Sequence, residues 1–243
     1  MTGAPVPAAP VPAVETSHPR PRPRVGIVSS RHRLCAALRR PLTDAAILLT
    51  EQVEAAAACG VEFFQVREPD LAAADLLPLV RTLRRAARGR MRIVVNDRAD
   101  VAAAAGVDLH LKAGSMPTAR LREWLPTGIW VSRAVHDAAE LTAADESADA
   151  FVAGTVRDTE SKAAGTPRLG MAGLALIAAA SRRPVFAIGG MTAADWPQVT
   201  AAGAAGMAVI GWMLPRAGEH AGEAIARAMA ELRAVAGGEG RPS

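Results

Sequence analysis

One rhythm constrains this chain more than any other feature. Short apolar runs of strand length alternate with Ala- and Leu-rich stretches of helix length, and polar clusters follow several of the runs. Such alternation builds a parallel sheet, because each return to the next strand passes through a helix that covers the sheet. The pattern predicts eight strands: Val25 to Ser29, Val61 to Val66, Arg92 to Val95, Asp108 to Leu111, Ile129 to Ser132, Ala150 to Gly154, Val185 to Ile188 and Ala208 to Ile210. Helices are expected at Thr43 to Cys59, Leu71 to Arg88, Pro117 to Trp124, Asp137 to Glu146, Leu174 to Ser181, Thr192 to Ala201 and Ala221 to Ala236. Pro78 should kink the second helix or delay its regular part. Thr192 is placed to cap its helix, with Asp195 in the first turn. Eight alternations favour a closed (β/α)8 TIM barrel over an open sheet, with strand order left open by the pattern.

A chain of 243 residues with half its side chains apolar suits one large domain. The barrel is expected over residues 24–236. Aromatic residues make up only 3% and tyrosine is absent, so alanine and short aliphatics are expected to fill the core. Residues 1–23 carry Pro5, Pro7, Pro10, Pro12, Pro19, Pro21 and Pro23 and read as a disordered arm; residues 237–243 read as a frayed tail. No apolar run is long enough to cross a bilayer, and the arm has no apolar core of a secretory signal. The net charge is +4, about half of it on the arm, and no basic face with stacking aromatics stands out, which argues against nucleic acid as a partner. Cys35 and Cys59 have neither disulfide-framework nor metal spacing and are expected to be ordinary buried thiols in a reducing cytoplasm.

In a barrel the C-terminal strand ends open on one face, so the polar clusters can converge on one ligand. Gly189 and Gly190 follow the seventh strand and Gly211 the eighth, where barrel enzymes commonly hold phosphate; turning the chain is the plainer role for any one of them. All but two of the 28 basic residues are arginine, and the two lysines, Lys112 and Lys162, both fall just beyond predicted strands. Lysine offers an anion a compact charge, and Lys162 is the stronger candidate. His136, after the fifth strand, suits general acid/base work, whereas His110 lies within a strand and reads as a buried structural residue. His18, His32 and His220 read as surface residues. Asn96 and Asp97 either orient a polar substrate, with Asp97 as a ligand for magnesium, or cap the following helix. Gln65 and Arg67 share one side of a strand end, so Arg67 either meets an anion or pairs with Glu68 or Asp97.

On Gln65-Val66-Arg67, Asn96-Asp97-Arg98, Leu109-His110-Leu111, Val135-His136, Gly154 through Lys162, and Ala187-Ile188-Gly189-Gly190, the chain resembles the superfamily of thiamine phosphate synthase and TenI thiazole tautomerase from about Val25 to Leu214. The resemblance implies two chemistries. The synthase joins a pyrimidine-methyl diphosphate to a thiazole phosphate through a carbocation-like step that uses magnesium and several cations. Gln65, Arg67, Asn96, Asp97 and Lys162 match its substrate, diphosphate or metal contacts. Four positions depart from its pattern: Pro69 and Ser115 replace an expected lysine and a second metal-binding aspartate, and Ala134 and Gly211 replace serines. A TenI-like tautomerase needs an anchored phosphate and a proton-transfer group, no cofactor, and shares the Gly114-Ser115 turn and His136. The departures favour the tautomerase, acting on a carboxylated thiazole phosphate through His136 and Lys162 with Gln65, Arg67, Asn96, Gly189, Gly190 and Gly211 as binding residues. The Mg-dependent synthase is the alternative, and a noncatalytic phosphate-binding barrel the third reading. The resemblance also allows a homo-oligomer.

Overall fold

The computed structural model describes residues 23–143, 147–159 and 168–238. Eight parallel strands close into a barrel in sequence order: β1 Val25–Val28, β2 Phe63–Val66, β3 Arg92–Asn96, β4 Asp108–Leu111, β5 Val131–Val135, β6 Ala150–Ala153, β7 Val185–Ile188 and β8 Gly206–Val209. Around them lie α1 Arg31–Ala37, α2 Ala45–Cys59, α3 Ala73–Ala87, α4 Ala99–Ala105, α5 Thr118–Arg122, α6 Ala138–Ala143, α7 Gly170–Ala180, α8 Trp196–Ala201 and α9 Ala221–Gly238. The (β/α)8 expectation is met.

Several boundaries differ, for local reasons. β5 runs to Val135, past the expected end at Ser132, so Arg133 and Ala134 belong to the strand and His136 stands directly at its mouth. α1 was not foreseen, and α4 only as the helix following Asn96-Asp97, without bounds. The first opens with Arg31, His32 and Arg33 and the second is almost all alanine, so neither shows an apolar stripe. α3 continues through Pro78, which is exposed along with Ala74, so water can satisfy the carbonyl whose donor proline removes. Thr192 behaves as foreseen: the Asp195 carboxylate accepts from its N–H at 2.9 Å and from its hydroxyl at 3.0 Å. α9 extends two residues into the expected C-terminal tail, to Gly238. The remainder of that tail, residues 1–22 of the arm, and the expected end of the Asp137 to Glu146 helix lie outside the described residues.

Alternation along each strand separates two cores. Outward side chains such as Ile27, Phe64, Val95, Leu109 and Val209 pack beneath the helices. Inward ones, Val28, Phe63, Val94, Ala150, Val152, Phe186 and Ala208, fill the bore. Alanine and valine supply five of these seven, as expected, and two rings complete the plug: Phe63 and Phe186 meet edge to face with centroids 5.3 Å apart, and Trp130 lies 6.0 Å from Phe63. Glycines make the room. A β-carbon on Gly26 would lie 2.0 Å from the Phe63 ring, so any side chain there overfills the bore at a cost of about 1–3 kcal/mol or more. With the floor sealed, the open end of the bore lies at the strands' C-terminal ends.

Candidate active site

A cavity of about 630 Å³ occupies that open end. It is lined on one side by Gln65, Arg67, Asn96, His110 and Lys112 and on the other by Gly189, Gly190, Gly211 and Arg33, with His136 and Thr155 also on its wall. Every site residue expected from the sequence, apart from Asp97 and Lys162, is therefore on one lining. Lys162 lies outside the described residues.

The β2–β4 side is built from inward positions at the strand tops. Gln65 is buried and its amide donates to Asn96 Oδ1 at 3.0 Å, holding both amides across adjacent strands. Next to them His110 Nδ1 is 2.9 Å from Ser132 Oγ. Burial drives the His110 pKa down to about 4, with Arg67 and Arg133 pushing the same way against Asp97, so the imidazole is neutral at neutral pH. His110 is both buried and cavity-lining, one role more than its strand position suggested.

Asp97 does not cap a helix. It sits in the left-handed region at φ 57°, where short polar side chains are tolerated, and its N–H donates to His110 O at 2.7 Å. Its carboxylate accepts from Lys112 Nζ at 2.5 Å and from the Ser115 hydroxyl. Burial pushes the Asp97 pKa up, but the hydrogen bonds from Lys112 and Ser115 overcome it and leave the carboxyl below its usual value. Lys112 lines the cavity, and Asp97 is absent from the described residues that do. Arg67 does not pair with Glu68, which is buried and engages Arg31 Nη1 at 3.2 Å and Ser29 Oγ at 2.5 Å.

The β7–β8 side is a backbone site. Gly189 and Gly190 take φ of 106° and 65°, and a β-carbon on Gly190 would lie 2.2 Å from the Asp158 carbonyl oxygen. Only glycine fits there. The expected helix N-terminus reaches the cavity through Thr192, but the Thr192 N–H is engaged by Asp195 and is not offered to a ligand. Arg33 supplies charge instead: a β-carbon on Gly211 would lie 3.1 Å from its Nη2. Sequence reasoning missed Arg33 because it stands on the unforeseen α1.

His136 is half-exposed, and its Nδ1 lies 2.9 Å from Glu140 Oε2, which also accepts the His136 N–H at 2.7 Å. A carboxylate on Nδ1 fixes the ring and leaves Nε2 for a ligand. Glu140 was missed; its spacing four residues after a histidine was the available signal.

Among known proteins, the family model described as thiamine monophosphate synthase matches residues 40–212. A thiamine-phosphate synthase of Methanoculleus marisnigri is 38% identical over 195 residues, covering 79% of this chain and 91% of that protein. One from Anaeromyxobacter dehalogenans is 38% identical over 189 residues, covering 77% and 85%. A solved thiamine phosphate pyrophosphorylase from Pyrococcus furiosus superposes with a TM-score of 0.69 at 25% identity, over 89% of this chain and 96% of that one.

Proposed function

The chain belongs to the thiamine monophosphate synthase family, and from that premise we propose that it is a thiamine-phosphate synthase, coupling a thiazole phosphate to a pyrimidine-methyl diphosphate. The relatives' names support this reading over the tautomerase that the residue departures alone favoured. The observation that carries it is one cavity with two anion-attracting poles. Gly189, Gly190, Gly211 and Arg33 form the first and suit the thiazole phosphate; Arg67, Asn96 and Lys112 form the second and suit the diphosphate. The volume, about 630 Å³, falls within the roughly 300–1,000 Å³ of drug-sized ligand sites.

In the coupling, the bond between the pyrimidine methylene and the diphosphate oxygen breaks, and the methylene carbon bonds to the thiazole. Negative charge grows on the departing oxygen, and cations set in place beforehand lower the barrier. Arg67 and Lys112 are placed for that role. Gln65 and Asn96 supply amide groups that can orient the second substrate.

Magnesium, implied by the synthase chemistry, fits this second pole poorly. Both oxygens of Asp97 are already engaged, by Lys112 and Ser115, and no group of three His, Cys, Asp or Glu side chains suited to a metal occurs among the described residues. No step here is routed through it.

One observation favours a second reading. The His136–Glu140 pair is a proton-transfer device that coupling does not need, and an isomerase would use it to take a proton from one ring atom of a carboxylated thiazole phosphate and return it to another. The second pole would then hold the carboxylate. Purified protein given both synthase substrates should form thiamine phosphate, measured by chromatography with mass detection. Absence of that product together with interconversion of the thiazole tautomers would replace the synthase reading, and tight ligand binding with neither reaction would leave a noncatalytic barrel.

A further inference from the structure

We propose that Lys112 is the built-in cation of the second pole and receives the second anionic group of the substrates directly, without a divalent metal ion. The proposal rests on the two-anion reading above.

Position comes first. Lys112 is the residue immediately after β4 and lines the cavity beside Arg67 and Asn96. Its ammonium is not a wandering surface charge, although the side chain is 62% exposed, because Nζ is 2.5 Å from Asp97 Oδ2. Asp97 is itself held by Ser115 through Oδ1 and by the His110 carbonyl through its N–H. Ser115 in turn accepts the Lys112 N–H at 3.1 Å, and the loop carrying it is braced by Arg133, whose guanidinium donates to the carbonyls of Ala113 and Ser115 at 2.7 Å and of Met116 at 3.0 Å. The ammonium is thus anchored by several links at the edge of the cavity.

Chemistry explains why it is a lysine, in a chain whose other cations are almost all arginine. An ammonium carries three donors; one is committed to Asp97 and two remain for an incoming oxyanion. Lys112 also cancels the charge of Asp97, which uncovered would repel that oxyanion. A divalent ion would need at least one of the same two carboxylate oxygens, and Lys112 holds Oδ2 while the Ser115 hydroxyl holds Oδ1. Lys112 and a metal therefore compete for one place.

Calorimetric titration of the full chain with pyrophosphate, once in EDTA and once in excess magnesium, tests this. The wild type is expected to bind in EDTA. Lys112→Gln is expected to lose about tenfold or more in EDTA and to recover in magnesium, because Asp97 then becomes open to the ion. That gain of metal dependence is something a misfolded variant cannot display. Wild-type protein that binds pyrophosphate only with magnesium overturns the proposal, as does a Lys112→Gln variant whose affinity in EDTA equals the wild type's. The synthase reading fails separately: pyrophosphate binding in EDTA without thiamine phosphate formation sinks that reading and leaves Lys112 its role. Product formed strictly with magnesium does the reverse.

Discussion

The two sides of the cavity are built by different physics. On the β7–β8 side the chain itself is the device, with backbone brought close by Gly189 and Gly190 in conformations and spaces that admit no side chain. On the β2–β4 side the device is a cluster of side chains, Lys112 on Asp97, Ser115 on Asp97, Gln65 on Asn96, each held by a neighbour from another strand or loop. A backbone site is stiff and chemically fixed. A side-chain site can exchange its cation, and it depends on the protonation of what lies beneath it.

That contrast can be broken most forcefully with acid. His110, beneath the side-chain pole, has its pKa lowered from 6.5 to about 4 by burial, so below pH 6.5 the unfolded chain binds a proton that the folded one refuses. Stability is therefore full above pH 6.5 and falls as pH drops towards 4, by about 3 kcal/mol in total from this group. Urea unfolding between those limits should show the slope, and His110→Asn should flatten it. At the backbone pole, Gly190→Ala forces a β-carbon against the Asp158 carbonyl; KM for the thiazole phosphate should rise about 100-fold, since small misplacements in a binding site cost that much. Equal loss for the diphosphate substrate would mean that the poles are not separate. Arg33→Ala is expected to raise KM for the thiazole phosphate about tenfold, with the unphosphorylated alcohol unaffected. Parallel weakening of both thiazoles would remove Arg33 from the phosphate pole. The smallest effect belongs to Glu140→Gln, which should change thiamine phosphate formation by no more than about threefold, because it only orients His136; a collapse of turnover would move the proton-transfer pair to the centre of the chemistry.

Much of this was legible beforehand. The strand and helix rhythm carried the barrel, and the polar clusters named most of the cavity wall, because residues at strand ends share one face whatever their distance in sequence. What was hidden lies where local pattern is silent. α1 begins with charged residues and shows no apolar stripe, so Arg33 stayed out of view. Ile129 and Trp130 lengthened the apparent β5 at the wrong end, although Asp108 Oδ1 takes the Trp130 N–H at 2.9 Å and the ladder strand starts one residue later. Alanine and short aliphatics fill most of the core, as aromatic scarcity suggested; what the pattern did not show is that two phenylalanine rings meet in the bore, where Gly26 leaves room.

By itself the sequence determined the class of fold, the end of the barrel that carries chemistry and the family to which the chain is similar, since periodicity and motif order are properties of the chain's linear pattern. Tertiary structure decided which charges meet. Asp97 and Lys112 are fifteen positions apart, and a metal ligand and a capping residue look the same in one dimension. Only when β3 and β4 lie side by side does the ammonium reach the carboxylate, and an ion pair depends on distances of a few ångströms that no spacing rule contains.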